Sequence, residues 1–241
     1  MATSWLIGAF VSALGISVGG GLAWVLKGFQ RGFGFIFSLC AGLIVGLLFL
    51  EMIPESIELG GWLNLAVGIA IGLLLFHYIH QLMDKITIIT DSHQKDIFVR
   101  SGVLLTFSIA VHNFPVGISL GQTLGTEIGG IMLTTLLLHN VPEGIIVFTP
   151  LFLAGFGILT YVFITTIITL PIALGTLLGQ LFNIGFPSLL AFMINLSIAI
   201  IFMVAVKEIF GEAVRNSTLL YSSVIGLFGV GIIYLYMNLS L

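Results

Sequence analysis

Two short stretches of the chain, VHNFPVGISL at residues 111–120 and LHNVPEGIIV at residues 138–147, repeat the pattern His-Asn-x-Pro-x-Gly. In each stretch the histidine stands inside a long apolar segment. The second copy adds Glu143, four residues after His139. Ionisable side chains are costly within an apolar helix and are retained there mainly for function. The repeated motif therefore marks the part of the chain where function is expected.

Each residue type in the motif has a chemical use. Side chains four residues apart lie on one face of a helix, so His139 and Glu143 can reach the same cation. Proline lacks an N–H donor and frees the carbonyl four residues earlier, here that of Val111 or Leu138, for water or metal. Glycine lets a neighbouring helix approach closely. Imidazole and carboxylate together suit zinc, and iron, manganese, cobalt and cadmium also accept them.

The overall composition indicates an all-α integral membrane protein. Of the 241 residues, 59% are hydrophobic and 7% are charged, whereas soluble domains have about 25% charged residues. The apolar runs are too long and too uniform for the alternating strands of a β-barrel. A net charge of −3 without a basic stripe excludes nucleic-acid binding. The single cysteine, Cys40, excludes a disulfide framework.

Eight segments reach the length of about 20 apolar residues that a spanning helix needs. They leave no room for a separate soluble domain, so residues 1–241 are expected to form one polytopic bundle. The expected helices cover residues 5–26, 33–54, 62–83, 101–122, 127–148, 152–181, 188–210 and 218–238. The longest connection, residues 84–100, is expected to be a polar cytoplasmic loop. Glycines within the helices are expected at close helix contacts.

The positive charges predict the orientation of this bundle. Lysine and arginine concentrate on the cytoplasmic side of membrane proteins. With eight helices and both termini outside, every lysine and arginine falls on the cytoplasmic side: Lys27, Arg31, Lys85, Lys95, Arg100, Lys207 and Arg215. No positive charge precedes the first segment, which is therefore expected to be an uncleaved helix rather than a signal peptide. The absence of organellar targeting and of soluble extensions favours a multi-pass protein of a bacterial plasma membrane.

Two glutamates lie on one face at the predicted outer end of helix 2. Glu51 and Glu55 are candidates for attracting cations at an entrance. The alternative is that they are interfacial residues without a specific role.

Several ionisable residues gather near the predicted cytoplasmic end of the bundle. His77, His80 and Asp84 follow one stripe of helix 3, and Glu208 and Glu212 end nearby on helix 7. These residues are candidates for an exit-side metal site. The alternative is a solvated helix end, where charged residues cost little.

The paired motif resembles that of the ZIP family of divalent-metal transporters, whose fourth and fifth helices carry such sequences. Weaker similarities lie on helices 2, 6 and 7, at Ala41-Gly42, residues 51–55, Pro171 with Gly175, and Glu208. The resemblance implies an eight-helix bundle in a 3+2+3 arrangement, usually a homodimer, that moves metal into the cytoplasm. The metal is then a substrate, most naturally Zn²⁺, and no prosthetic group is expected. His112, His139 and Glu143 are the implied metal ligands.

The chain departs from the ZIP pattern at three positions. Members of that family commonly carry glutamate at the positions of Val116 and Leu170, and methionine at that of Ile44. The missing glutamates belong to the second position of a two-metal centre, so we expect a single metal position here. Asn113 and Asn140 are expected to orient water or neighbouring helices rather than to bind the metal directly.

Other functions fit the same residues. Two histidines and a glutamate around a metal with bound water could activate a nucleophile in an intramembrane metalloenzyme. The chain has no His-Glu-x-x-His motif, so the sequence does not favour an enzyme. Two further functions remain as alternatives. One is a metal-free proton-linked carrier with Glu143 as the proton carrier, and the other is a non-transporting metal sensor.

Overall fold

The computed structural model describes residues 5–28, 32–85, 92–182 and 187–240. Within these ranges the chain forms α-helices and two π-helical segments, and no strand. The elements are α1 (Trp5–Lys27), α2 (Phe33–Leu47), the first π-helical segment (Leu48–Met52), α3 (Ile53–Lys85), α4 (His93–Thr123), α5 (Glu127–Leu153), α6 (Ile158–Leu181), α7 (Pro187–Met203), the second π-helical segment (Val204–Phe210), α8 (Gly211–Arg215) and α9 (Leu219–Ser240). The predicted all-α class is confirmed for this part of the chain.

Seven helical stretches among the described residues are long and apolar enough to cross a membrane. The second covers 48 residues, Gly34–Gln81, where the sequence predicts two separate helices. It joins α2, the first π-helical segment and α3. Gly61, with φ 74° and ψ 172°, makes a kink inside this stretch. Such a positive φ is accessible chiefly to glycine, so the chain bends here without a separate loop.

The loop predicted at residues 84–100 is wrong at both ends. α3 continues to Lys85, and α4 begins at His93. The Ser92 hydroxyl accepts a hydrogen bond of 3.2 Å from the Lys95 backbone N–H and so caps the first turn of α4. Polar residues of the predicted loop therefore form the first turns of a helix. The middle of the predicted loop lies outside the described residues, as does Arg31.

Three further helix boundaries differ from the prediction. α5 continues to Leu153 and α6 starts at Ile158. The connection predicted at 149–151 therefore lies at 154–157. Helix 7 continues beyond its predicted end, through the second π-helical segment and α8, to Arg215. Hydropathy locates the apolar part of a helix, whereas its last turn depends on backbone capping.

Glycines bring neighbouring helices into backbone contact. α1 packs on α5 at Gly15 and Gly19, where an added Cβ would collide with the backbone of α5. α4 packs on α6 in the same way at Gly121 and Gly179. The predicted packing role is therefore confirmed at these positions. It is wrong for Gly21, which borders open space.

The remaining long helices pair in a matching pattern. α2 packs against α9 at Gly42, and α3 packs against α7 at Gly72. Two groups result, one of α1, α4, α5 and α6 and one of α2, α3, α7 and α9. The contact of α1 with α5 corresponds to that of α6 with α4, and the contact of α2 with α9 to that of α7 with α3. This pattern fits an internal two-fold repeat, as many transporters have. A hydrophobic core that includes Ile44, Phe76 and Phe148 joins the two groups.

Two glycines of α9 test the packing directly. A Cβ on Gly229 would lie 2.7 Å from the Leu39 carbonyl oxygen of α2, whereas a Cβ on Gly231 meets no atom within 4 Å. We expect Gly229→Ala to lower the unfolding free energy by about 1–3 kcal/mol, because the helices must separate. Gly231→Ala should leave stability unchanged or raise it by about 0.5–1 kcal/mol through helix propensity.

Thermal unfolding of the purified variants in one detergent measures both effects. Equal unfolding temperatures for the two alanine variants would contradict the close contact of α2 and α9.

Candidate metal centre

His112 of α4 and His139 of α5 lie side by side. Their ring centroids are 5.5 Å apart, and the ring planes meet at 32°. Both residues are buried, with exposed fractions of 1% and 8%. The repeated motif therefore brings two imidazoles together between α4 and α5.

Glu143 completes the cluster from the next turn of α5. One ligand atom from each of His112, His139 and Glu143 lies within 4.8 Å of the other two. Glu143 is 1% exposed. Its Oε2 atom and Nδ1 of His112 have no hydrogen-bond partner among the described residues. Buried polar atoms normally have partners, so a cation held among these three side chains would offset the energetic penalty of burying them.

The proline of α5 has a structural consequence that links the two helix groups. Pro142 lies inside α5 and cannot donate to the carbonyl of Leu138. The hydroxyl of Tyr236, on α9, donates a hydrogen bond to that carbonyl instead. This hydrogen bond uses one of the two lone pairs of the carbonyl oxygen, so the availability of Leu138 to water or metal stays a prediction. The freed carbonyl ties α5 to α9.

The two asparagines of the motif contact neighbouring helices. The Asn113 amide donates to the backbone carbonyl of Ile168 in α6 at 3.0 Å. The Asn140 amide donates to the Ser12 hydroxyl in α1 at 2.8 Å. Each asparagine thus binds its helix to the partner on which that helix packs most closely. The Oδ1 atoms of both are buried without a hydrogen-bond partner among the described residues, which leaves them available to water.

A cavity of about 240 Å³ leads to the histidines. Asn113 and Val116 line it from α4, and Met132 and Thr135 line it from α5. These residues lie on the side of the histidines that faces the connection between α4 and α5. Thr135 is exposed, so the cavity reaches the surface there. Space for water or a small ion therefore lies next to the cluster at this end.

Glu51 contacts the cluster itself. Its Oε1 atom lies 2.7 Å from Nδ1 of His139, and Nε2 of the same ring lies 3.2 Å from Oε1 of Glu143. Glu55 is exposed and lines the same cavity. The sequence indicates the glutamate pair but not the contact with His139. Hydrophobic periodicity does not reveal the first π-helical segment, which carries Glu51.

The three departures from the ZIP pattern have different surroundings. Val116 lines the cavity, Ile44 is buried in the core, and Leu170 is 52% exposed. The valine offers no second carboxylate beside Glu143. The described residues accordingly contain one group of three metal-ligating side chains.

A second polar cluster lies on the other side of the histidines along α4. Arg100 Nη2 lies 2.7 Å from Glu208 Oε2, and His80 Nδ1 lies 3.3 Å from Glu208 Oε1. Glu208 is buried in the second π-helical segment. Because Arg100 already neutralises Glu208, this cluster is an ion pair that links α4 to the end of helix 7. Sequence reasoning missed Arg100 because the pair depends on contacts between distant helices.

The other residues predicted for an exit-side site have different neighbours. His77 is exposed, and its Nε2 atom lies 2.9 Å from Nε2 of Gln81 on the same helix. Glu212 accepts a hydrogen bond of 2.8 Å from the Asn216 amide. The side chain of Asp84 lies outside the described part of the chain. Of the predicted exit-side residues, the structure brings His80 and Glu208 together, and the complete five-residue site stays a prediction.

Comparisons with models of known protein families and with curated proteins find no match to this chain. The resemblance to ZIP transporters therefore rests on the paired motif and the residues around it. The function is argued below from the chemistry of the site.

The Arg100–Glu208 pair predicts a defined change in stability. Arg100→Met leaves the buried Glu208 carboxylate without its arginine, and because Arg100 is partly exposed and His80 still contacts Glu208, we expect a loss of about 1–3 kcal/mol. Adding Glu208→Gln to the same variant removes the uncompensated charge and should restore much of the loss. Thermal unfolding in detergent measures both steps. A double variant no more stable than Arg100→Met would contradict this account of the cluster.

Proposed function

We propose that the chain carries a divalent metal ion, most naturally Zn²⁺, across a membrane, with His112, His139 and Glu143 as the ligands of the passing ion. The observation that carries the proposal is the convergence of these side chains inside a bundle of long apolar helices. A buried group of imidazoles and a carboxylate has little use in helix packing, since apolar residues pack without the desolvation cost.

The helix lengths support a polytopic arrangement with eight crossings. The stretch Gly34–Gln81 has 48 residues. At 1.5 Å per residue its length is roughly 70 Å, more than twice the 30 Å core of a bilayer. The kink at Gly61 divides it into two halves of suitable length. Together with the other six stretches, this supports the proposed eight crossings, with which both termini would lie on one side.

The distribution of charge supports the orientation. With eight crossings, Lys85, Lys95, Arg100, Lys207 and Arg215 fall on one side of the membrane. The positive-inside rule assigns that side to the cytoplasm. The cavity opens on the opposite side, next to the connection between α4 and α5. The proposed direction of entry is therefore from outside.

The donor set suits an ion that must be released again. Two imidazoles and one carboxylate bind zinc, and also iron, manganese, cobalt or cadmium. One carboxylate leaves a dication with residual positive charge in a low-dielectric site, which is costly. Water must therefore complete the coordination shell. The cavity of about 240 Å³ has room for several molecules, since each water occupies about 30 Å³ in the liquid.

Alternating access requires that the site open to one side at a time. The cavity lies on one side of the histidines, and the Arg100–Glu208 pair lies on the other. The ligands belong to α4 and α5, whereas Glu51 and Glu208 belong to the other helix group. A relative movement of the two groups would close the cavity and separate Arg100 from Glu208. The proposed state is thus open outward and closed inward.

Uptake into proteoliposomes tests this proposal. Purified protein reconstituted in sealed vesicles should accumulate radioactive zinc or cadmium, and His139→Ala should lower the initial rate by at least about tenfold, since loss of a supporting contact alone costs 10- to 100-fold. His77→Ala is the matched control, because His77 is exposed and bonds within its own helix. Its uptake should equal that of the unaltered chain.

The result separates the proposed classes of function. A metalloenzyme, a sensor and a metal-free carrier all predict no net metal flux in the unaltered protein. Such a result, obtained with folded protein in sealed vesicles, would refute transport. Equal uptake by His139→Ala and His77→Ala would refute the assigned site.

A further inference from the structure

The two ring nitrogens of His139 face different carboxylates. Nδ1 lies 2.7 Å from Glu51 Oε1, and Nε2 lies 3.2 Å from Glu143 Oε1. Glu51 comes from the first π-helical segment, whereas Glu143 lies on the same helix as the histidine. The imidazole is therefore held between an outer partner and a candidate metal ligand.

The chemistry of these groups determines which nitrogen can bind a metal. An ionised carboxylate only accepts hydrogen bonds, and a neutral imidazole has one N–H and one lone pair. When Glu51 accepts the proton of Nδ1, the lone pair lies on Nε2. Nε2 is the atom beside Glu143. Carboxylate–histidine pairs of this kind fix the tautomer and ring orientation of metal-binding histidines and raise their basicity.

The two histidines of the centre are not equivalent in this respect. Nδ1 of His112 is buried and has no hydrogen-bond partner among the described residues. The glutamate of the second π-helical segment, Glu208, contacts Arg100 and His80 instead of His112. Each half thus has a glutamate on a π-helical turn, and in the part of the chain that the structure describes, only the one beside His139 contacts a histidine of the centre.

The backbone at Glu51 is held by core packing. Its neighbours Leu48 and Met52 in the π-helical segment are buried in the core. The Glu51 side chain is 19% exposed, so the carboxylate meets the cavity while its backbone is anchored. A wider π-helical turn commonly places a functional side chain out of the α-helical register.

We propose that Glu51 is a positioning residue of the metal centre, which accepts a hydrogen bond from Nδ1 of His139 and directs Nε2 toward the divalent cation. The cation in this proposal rests on the proposed function. The tautomer of His139 does not depend on that function. Glu51 acts on the opposite edge of the ring from Glu143, so it supports the histidine rather than completing the ligand set.

The tautomer is measurable in the metal-free protein. The chain has five histidines, so ¹⁵N-labelled imidazoles give few signals, and His139→Asn identifies those of His139. We expect Nδ1 of His139 to carry a proton in the unaltered protein, and Glu51→Gln to shift its nitrogen signals. A proton found on Nε2 alone would overturn the proposal, whether or not the protein transports metal.

Metal affinity supplies the second measurement. Zn²⁺ titration of Glu51→Gln by calorimetry should show a loss of affinity of about 10- to 100-fold, the effect of removing such a support, with the number of bound ions unchanged. Glu55→Gln removes a charge from the same cavity and reports the electrostatic attraction alone. Its loss should be several-fold smaller.

The two variants separate positioning from general attraction. Equal losses for Glu51→Gln and Glu55→Gln would mean that Glu51 acts only through its charge, and would overturn the proposal. An unaltered protein that binds no Zn²⁺ would refute the proposed function, and the ¹⁵N measurement would still decide the role of Glu51.

Discussion

Two imidazoles and a carboxylate are buried between α4 and α5, and the contacts of the surrounding helices depend on this polar cluster. Polar groups removed from water need partners, and His112 and Glu143 each keep an atom without one among the described residues. Around them, Asn113 and Asn140 bind the adjacent helices, and glycine contacts bring those helices to backbone distance. The four-helix group therefore packs closely around a cluster that the proposed function assigns to a cation.

The two halves of the molecule share a structural feature, a glutamate on a π-helical turn, whose contacts differ between the halves. Each half has a glutamate on a π-helical turn facing α4 or α5. Glu51 contacts the metal centre, whereas Glu208 is neutralised by Arg100. A cavity adjoins the first glutamate, and the second does not line that cavity. A carrier that exposes its site to one side at a time must differ between its two sides in any one state. The different surroundings of Glu51 and Glu208 fit that proposal.

Hydropathy and motif spacing predict much of this arrangement, for physical reasons. A long helix among apolar surroundings needs apolar residues throughout, so its centre is readable from composition. His139 and Glu143 share one helix face because they are four residues apart. The short turn between α4 and α5 then predicts that both side chains lie near His112. Helix ends such as His93 depend on local capping by Ser92. The position of Glu51 depends on a π-helical turn, and hydropathy does not report such a turn.

Anomalous scattering from crystals grown with Zn²⁺ or Cd²⁺ tests the central claim most directly, because it shows the number of ions, their ligands and their geometry together. The account predicts one strong peak between the two imidazole rings and Glu143, with water completing the shell. Two equivalent peaks, or an ion bound elsewhere while the imidazoles stay empty, would contradict it.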